Sequence, residues 1–196
     1  MQETDPEACS GGRRERRAAG GNGLTEHDRL IGVISDTHGL MRPEAIDALR
    51  GSELIIHAGD IGGPEVLQAL REVAPVVAVR GNNDREDCAK ILKETEVVRL
   101  GDAVVYVLHD IHALDLDPAA AGFGAVISGH SHQPLLEERR GVLYLNPGSA
   151  GPRRFTLPIT VARLHVRGTA LYAEIRKLPV ANRHTRADRR HRRLQR

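Results

Sequence analysis

The chain has 196 residues, 40% of them hydrophobic, with two Cys, three Tyr, two Phe and no Trp. That length supports one domain with a sizeable core, and the scarcity of aromatic rings argues against a base-stacking platform for single strands. The net charge of +2 is uneven: residues 1–28 carry 4 basic and 6 acidic side chains, residues 29–178 carry 17 and 19, and residues 179–196 carry 7 Arg against Asp188. The basic balance therefore belongs to the tail, and a slightly acidic central part argues against a nucleic-acid groove on the core.

In chain order, residues 1–28 are rich in Gly, Glu, Arg and Ala and show no apolar periodicity, so a disordered extension is expected there. Its Arg13, Arg14, Arg16 and Arg17 lead into no apolar stretch, which is not the pattern of a secretory signal. Residues 29–178 read as one domain. IGVIS (31–35), LIIHA (54–58), VVAVR (76–80), VVYVL (104–108), AVIS (125–128) and VLYL (142–145) are short, nearly all-apolar runs, as strands buried on both faces should be. Helices are predicted between the first three, opening at Pro43-Glu44 and Pro64-Glu65, where Pro suits the first helical turn and the acid suits the helix dipole. ITVARLHV (159–166) and ALYAEIRKL (170–178) alternate and predict antiparallel strands with one wet face. The class is α/β with mixed sheets. Residues 179–196 read as a basic disordered tail. No run approaches 18 apolar residues, so no membrane span is expected. Cys9 and Cys88 have no framework spacing, which fits a reducing, cytoplasmic setting.

Most apolar runs are followed by residues able to bind a metal. Asp36-Thr37-His38 follows the first, Gly59-Asp60 the second, Gly81-Asn82-Asn83-Asp84 the third, His109-Asp110 the fourth, and Gly129-His130-Ser131-His132 the fifth; VLYL runs into Asn146-Pro147-Gly148-Ser149. In open α/β sheets ligands bind beyond the carboxyl ends of the strands, so these groups should meet at one rim. The set Asp36, His38, Asp60, Asn82, His109, His130 and His132 has no thiolate, and its imidazole, carboxylate and amide ligands suit Mn, Fe, Zn, Ni or Co. Seven ligands are too many for one tetrahedral ion and suit two. Ions about 3.5–4 Å apart can activate a shared water and clamp a phosphoryl oxygen.

The ordered blocks ISDTHG, HAGDIGG, RGNND, SGHSH and NPGS resemble the calcineurin-like metallophosphoesterase superfamily, in particular its small single-domain bacterial and archaeal phosphodiesterases. The resemblance implies a four-layer α-β-β-α sandwich with a dinuclear site at one edge. By it, Asp36, His38, Asp60 and His132 hold one ion, Asp60 bridges, and Asn82, His109 and His130 complete the second. The implied reaction is hydrolysis of a small phosphodiester or phosphomonoester by a metal-bridging hydroxide, with Asp60, Asn82 and His38 as catalytic residues and Mn2+ as the first ion to expect. Asn83, Asn146, Gly148 and Ser149 are the implied substrate contacts, and a homo-oligomer is a further expectation from the family. Many relatives carry His where this chain has Asn83, and Asn cannot act as a general acid. The alternative from another class is a protein-interaction scaffold, since a eukaryotic relative serves the retromer in that way.

Other polar residues have plainer readings. His57 and His165 are expected as structural side chains, His112 as a solvated loop residue, Arg153 and Arg154 as solvated, and Cys88 as a packing residue. Asp84 is expected either to stabilise a turn or support the site or to act in catalysis, and Asp110 to orient His109 or cap a turn. The Arg-rich tail is a solvated end or a contact for nucleic acid or anionic lipid.

Overall fold

A computed structural model of the chain describes residues 28–84 and 91–180. The expected N-terminal extension and basic tail, with Cys9 and Cys88, lie outside the described residues apart from their inner ends. Those inner ends belong to the domain: Asp28 pairs both carboxylate oxygens with Arg167 at 2.6 and 2.5 Å, and Val180 packs under the helices.

The first sheet contains β1 (Arg29–Ile34), β2 (Leu54–His57), β3 (Val76–Ala78), β9 (Thr160–Arg167) and β10 (Ala170–Lys177), in the order β10-β9-β1-β2-β3. Strands β1, β2 and β3 run parallel, joined through α1 (Pro43–Leu49) and α2 (Pro64–Arg71), and the β9–β10 hairpin adds antiparallel to β1. The second sheet contains β4 (Thr95–Leu100), β5 (Ala103–Leu108), β6 (Ala125–Ile127), β7 (Leu135–Arg139) and β8 (Val142–Asn146), in the order β4-β5-β6-β8-β7. Its centre, β5-β6-β8, is parallel, and both edges are antiparallel.

The unbroken apolar runs follow from burial on both faces. Ile31, Val33 and Ile56 from one sheet meet Val105, Val107, Ile127 and Leu145 from the other in a shared core. Their sequence neighbours Ile34 and Ile55 point the opposite way, onto Leu49 of α1 and Val66, Leu67 and Leu70 of α2. Tyr106, Leu108, Val126 and Val142 face the outside of the second sheet and are covered by Ile111, Leu114, Leu116, Ala119 and Phe123. Period-2 alternation thus serves two apolar layers at once. The architecture is the expected layered sandwich of two mixed sheets. Among the described residues the cover over the second sheet is a loop with one 3-10 turn (Ile111–Ala113).

Two strands carry no apolar run. β4 (TEVVRL) and β7 (LLEER) are edge strands, largely exposed, and charges interrupt them. Charge on an edge strand discourages pairing with other chains and also hides the strand from a hydrophobicity reading. The late hairpin differs as well: β9 is buried at most positions, because α1 covers the face expected to be wet, and only β10 alternates toward solvent.

Candidate metal centre

The carboxyl ends of β1, β2, β3, β5 and β6 open onto one edge of the sandwich, and the loops there are sharply bent. Among the described residues seven non-glycine positions have positive φ, and five of them are Asp36, His38, Asp60, His130 and His132. Such conformations cost energy and persist only where surrounding contacts enforce them, so their concentration marks a site built for function. The glycines allow close approach. A Cβ on Gly81 would sit 2.2 Å from Asp60 Oδ1, and one on Gly129 would sit 2.0 Å from Ser35 Oγ and 2.9 Å from Asp36 Oδ2.

Two groups of ligand atoms result. Asp36, His38 and His132 form one, and Asp36, Asp60 and His109 form the other. In the first, His132 Nε2 lies 3.1 Å from Asp36 Oδ1 and 3.2 Å from His38 Nε2. Between the groups, Asp60 Oδ2 lies 3.8 Å from His38 Nε2 and 3.5 Å from His109 Nε2. Asn82 Oδ1 is 3.0 Å from both His109 Nε2 and His130 Nδ1. All seven side chains selected from sequence are brought to this edge.

Neighbouring groups set the protonation of the ligands. Burial outweighs the nearby carboxylates at His38 and lowers its pKa, keeping the imidazole neutral. Burial acts in the same direction at His109, but Asp60, the Ala58 carbonyl and Asp36 together raise its pKa. His109 Nδ1 lies 2.7 Å from that carbonyl and donates to it, leaving Nε2 facing the cluster. Burial alone would raise the Asp60 carboxyl, but hydrogen bonds from His109 and from the Asn83 side chain and backbone hold it well below the usual carboxylate range.

The supporting residues are more numerous than the sequence suggested. Ser35 donates to Asp36 Oδ2 at 2.7 Å, and the His130 N–H donates to the same oxygen at 3.1 Å. Asp84 accepts from three backbone N–H groups, those of Ile61 (2.7 Å), Gly62 (3.0 Å) and Gly81 (2.9 Å), and so fastens the Asp60 loop to the Asn82 loop. Asp110 does not orient His109. Its Oδ1 accepts from the His112 N–H, capping the 3-10 turn, and its Oδ2 is 3.8 Å from His130 Nε2.

The expected substrate contacts also have partners within the protein. Asn83 faces Asp60, donating from its backbone N–H at 2.8 Å and its side-chain amide at 2.6 Å. Asn146 is buried and donates to the Gly129 carbonyl at 2.6 Å, while the Gly148 N–H donates to Asn146 Oδ1 at 2.9 Å. Ser149 is buried and donates to the Asp36 carbonyl at 2.9 Å. These internal partners let the groups hold the ligand loops in place. His165 stacks on Tyr172 across the β9–β10 hairpin, 4.6 Å between ring centroids, and is structural. His112 is exposed in its loop.

His57 is fully buried beneath the site. Thr37 Oγ1 donates to the Ile61 carbonyl at 2.9 Å, so it accepts from His57 Nε2, also at 2.9 Å, and His57 is neutral with its proton on Nε2. Burial lowers its pKa from 6.5 to about 4. Unfolded chains take up this proton below pH 6.5 and folded chains do not, so stability contributed above 6.5 is lost as pH falls toward 4, by about 3 kcal/mol in all. Urea unfolding in chelator across that range should be flatter for His57→Gln than for the parent chain. Equal slopes would show that His57 does not drive the loss.

The donor set fits divalent metal ions. Asp36 Oδ1 is buried with no hydrogen-bond partner, although His132 Nε2 is 3.1 Å away. The two atoms are close but not aligned for donation. An orphaned carboxylate oxygen thus sits 3.1–4.0 Å from two imidazole nitrogens, an arrangement a cation would satisfy. A two-sheet sandwich with these side chains gathered at its strand ends defines a metal-dependent hydrolase. Residues 30–169 match the calcineurin-like phosphoesterase superfamily domain, and the chain belongs to that family. It is 43% identical over 157 residues to a protein of Methanothermobacter thermautotrophicus named "probable metallophosphoesterase", covering 74% of this chain and 91% of that one. Among solved structures it is similar to an archaeal phosphodiesterase, with 26% identity and a TM-score of 0.64 over 75% of this chain and 99% of that one. It is also similar to a Vps29 variant from Entamoeba histolytica, with 25% identity and a TM-score of 0.60 over 76% and 99%. No described helix is long and apolar enough to cross a membrane.

Proposed function

We propose that this phosphoesterase hydrolyses small phosphodiesters with two divalent transition-metal ions. The observation that carries the reading is the convergence of Asp36 Oδ1, which has no hydrogen-bond partner, with His38 Nε2 and His132 Nε2, all buried or half-buried and 3.1–4.0 Å apart. Asp36, His38, Asp60 and His132 would hold one ion. Asn82, His109 and His130 would hold the other with Asp60, whose Oδ2 lies between His38 and His109. Bound ions would lower the pKa of a water for attack at phosphorus and neutralise phosphoryl oxygens.

The chain's own residues define the rest. Asn83 fixes both oxygens of Asp60 and keeps that carboxylate ionised. Neither Asn83 nor His38 is placed to protonate a leaving group, because Asn83 lacks an acidic proton and His38 Nε2 belongs to the ligand group. Esters whose alcohol leaves as a stable anion should react best. A cavity of about 630 Å3 beside Asn82 and His109, walled by Tyr106, Leu108, Asp110 and Asp115, has room for the ester substituent.

The test is hydrolysis of bis(p-nitrophenyl) phosphate and p-nitrophenyl phosphate by metal-stripped protein supplied with Mn2+, Ni2+, Zn2+ or Mg2+, alongside Asp60→Asn. Diester cleavage should return with a transition metal and be absent in the variant. A folded, metal-binding protein that cleaves neither ester would instead support a scaffold.

A further inference from the structure

We propose that Arg154 is the side chain that grips the phosphoryl anion of the substrate, an inference that rests on the phosphoesterase reading. Its guanidinium lies 3.4 Å from His38 Nε2. That is the nitrogen that faces His132, Asp60 and Asp36. Among the described residues His38 is the hydrogen-bond partner the structure gives Arg154; no carboxylate pairs with it.

The contact suits only a metal-free site. An ion at the cluster would take the Nε2 lone pair, and two cations would then stand side by side. The guanidinium must exchange its imidazole for another acceptor, and an anion between it and the ions satisfies both. A phosphoryl group has the charge and the oxygens to do this, and the planar fork of Arg matches two of them.

The backbone brings Arg154 there by a fixed route. The Gly151 N–H donates to the Asp36 carbonyl at 3.2 Å, and Arg42 donates to the Gly151 carbonyl at 3.1 and 3.3 Å. A Cβ on Gly151 would lie 2.4 Å from that same Asp36 oxygen, so the loop base is pressed onto the ligand loop. Phe155, next to Arg154, is held at φ 51° while 93% exposed, so no burial of its own ring offsets the strain. Arg153 and Arg154 were alike in sequence; only Arg154 reaches the cluster.

The experiment uses the full chain loaded with Mn2+ and compares Arg154→Ala, Arg154→Lys and, as control, Arg153→Ala. Inorganic phosphate binding is measured by calorimetry, and KM and kcat are measured with bis(p-nitrophenyl) phosphate. Arg154→Ala should weaken phosphate binding by about 10-fold or more and raise KM, with Mn2+ affinity unchanged. Arg154→Lys should recover part of the loss, and Arg153→Ala should match the parent. Phosphate affinity and KM within twofold of the parent in Arg154→Ala would overturn the inference while leaving the phosphoesterase reading intact. Phosphate binding that depends on Arg154 in a protein that hydrolyses nothing would support the inference and overturn the reading.

Discussion

Asp36→Asn is expected to make the metal-free protein more stable by about 1–2 kcal/mol while lowering metal-dependent hydrolysis by at least about 10³-fold. Asp36 is fully buried, and its two oxygens have opposite fates. Oδ2 accepts from Ser35 and from the His130 N–H, whereas Oδ1 has no hydrogen-bond partner. An Asn side chain can keep its oxygen at the Oδ2 position, where Ser35 and the His130 N–H donate, and takes the charge out of the site. A buried charge with one unpartnered oxygen is removed, which favours the metal-free fold. The same change removes a charged ligand from both ligand groups. Chemical denaturation in chelator and in excess Mn2+ separates the effects. The parent chain should gain stability on metal addition in proportion to ligand saturation, about 4 kcal/mol at a thousandfold excess over Kd. Asp36→Asn should gain little. A variant that is less stable in chelator, or that still gains fully from Mn2+, would show that Asp36 is not an unsatisfied ligand.

The same contrast explains what could be read from the sequence. The candidate ligands were legible because each follows an apolar run, and strand ends of an α/β sheet meet at one rim. The buried strands were legible because burial on two faces leaves a continuous apolar signal, as in IGVIS and VVYVL. β4 and β7 left no such signal, because edge strands need only a few packed side chains. The roles of Asn146, Gly148 and Ser149 were hidden for another reason. Groups able to bind phosphate are equally able to bind a backbone carbonyl or amide, and only the three-dimensional partner decides between them. Ser35 and Thr37 carry no signal in the sequence, yet they fix Asp36 and seat the loop on His57. Arg154 sits in a loop with no periodicity, where sequence alone gives no direction for a long side chain.

Asp84→Ala is expected to cost about 3 kcal/mol or more of stability and to weaken metal binding about 10- to 100-fold, although Asp84 is outside the proposed ligand set. Its carboxylate is buried and accepts from the N–H groups of Ile61, Gly62 and Gly81. Removing it orphans three donors at once, in a region where Gly81 N–H and the Asp60 loop have no room to rearrange, since a Cβ at Gly81 would already meet Asp60 N at 2.3 Å. Ile61 directly follows Asp60 and Gly81 directly precedes Asn82, so the loosened segments are those that carry ligands of both proposed ions. Asp84→Asn divides the effect. Its amide oxygen can still serve Ile61 and Gly62, but its NH2 group would oppose the Gly81 N–H, so the Asn82 side should suffer and the Asp60 side should be largely kept. Melting in chelator reads the fold, and metal titration at two stoichiometries reads the site. The expected order is parent, then Asp84→Asn, then Asp84→Ala in both. Parent-like stability and affinity in Asp84→Ala would mean that the loops hold themselves, and the strain at Asp36, His38 and Asp60 would then need another source of support.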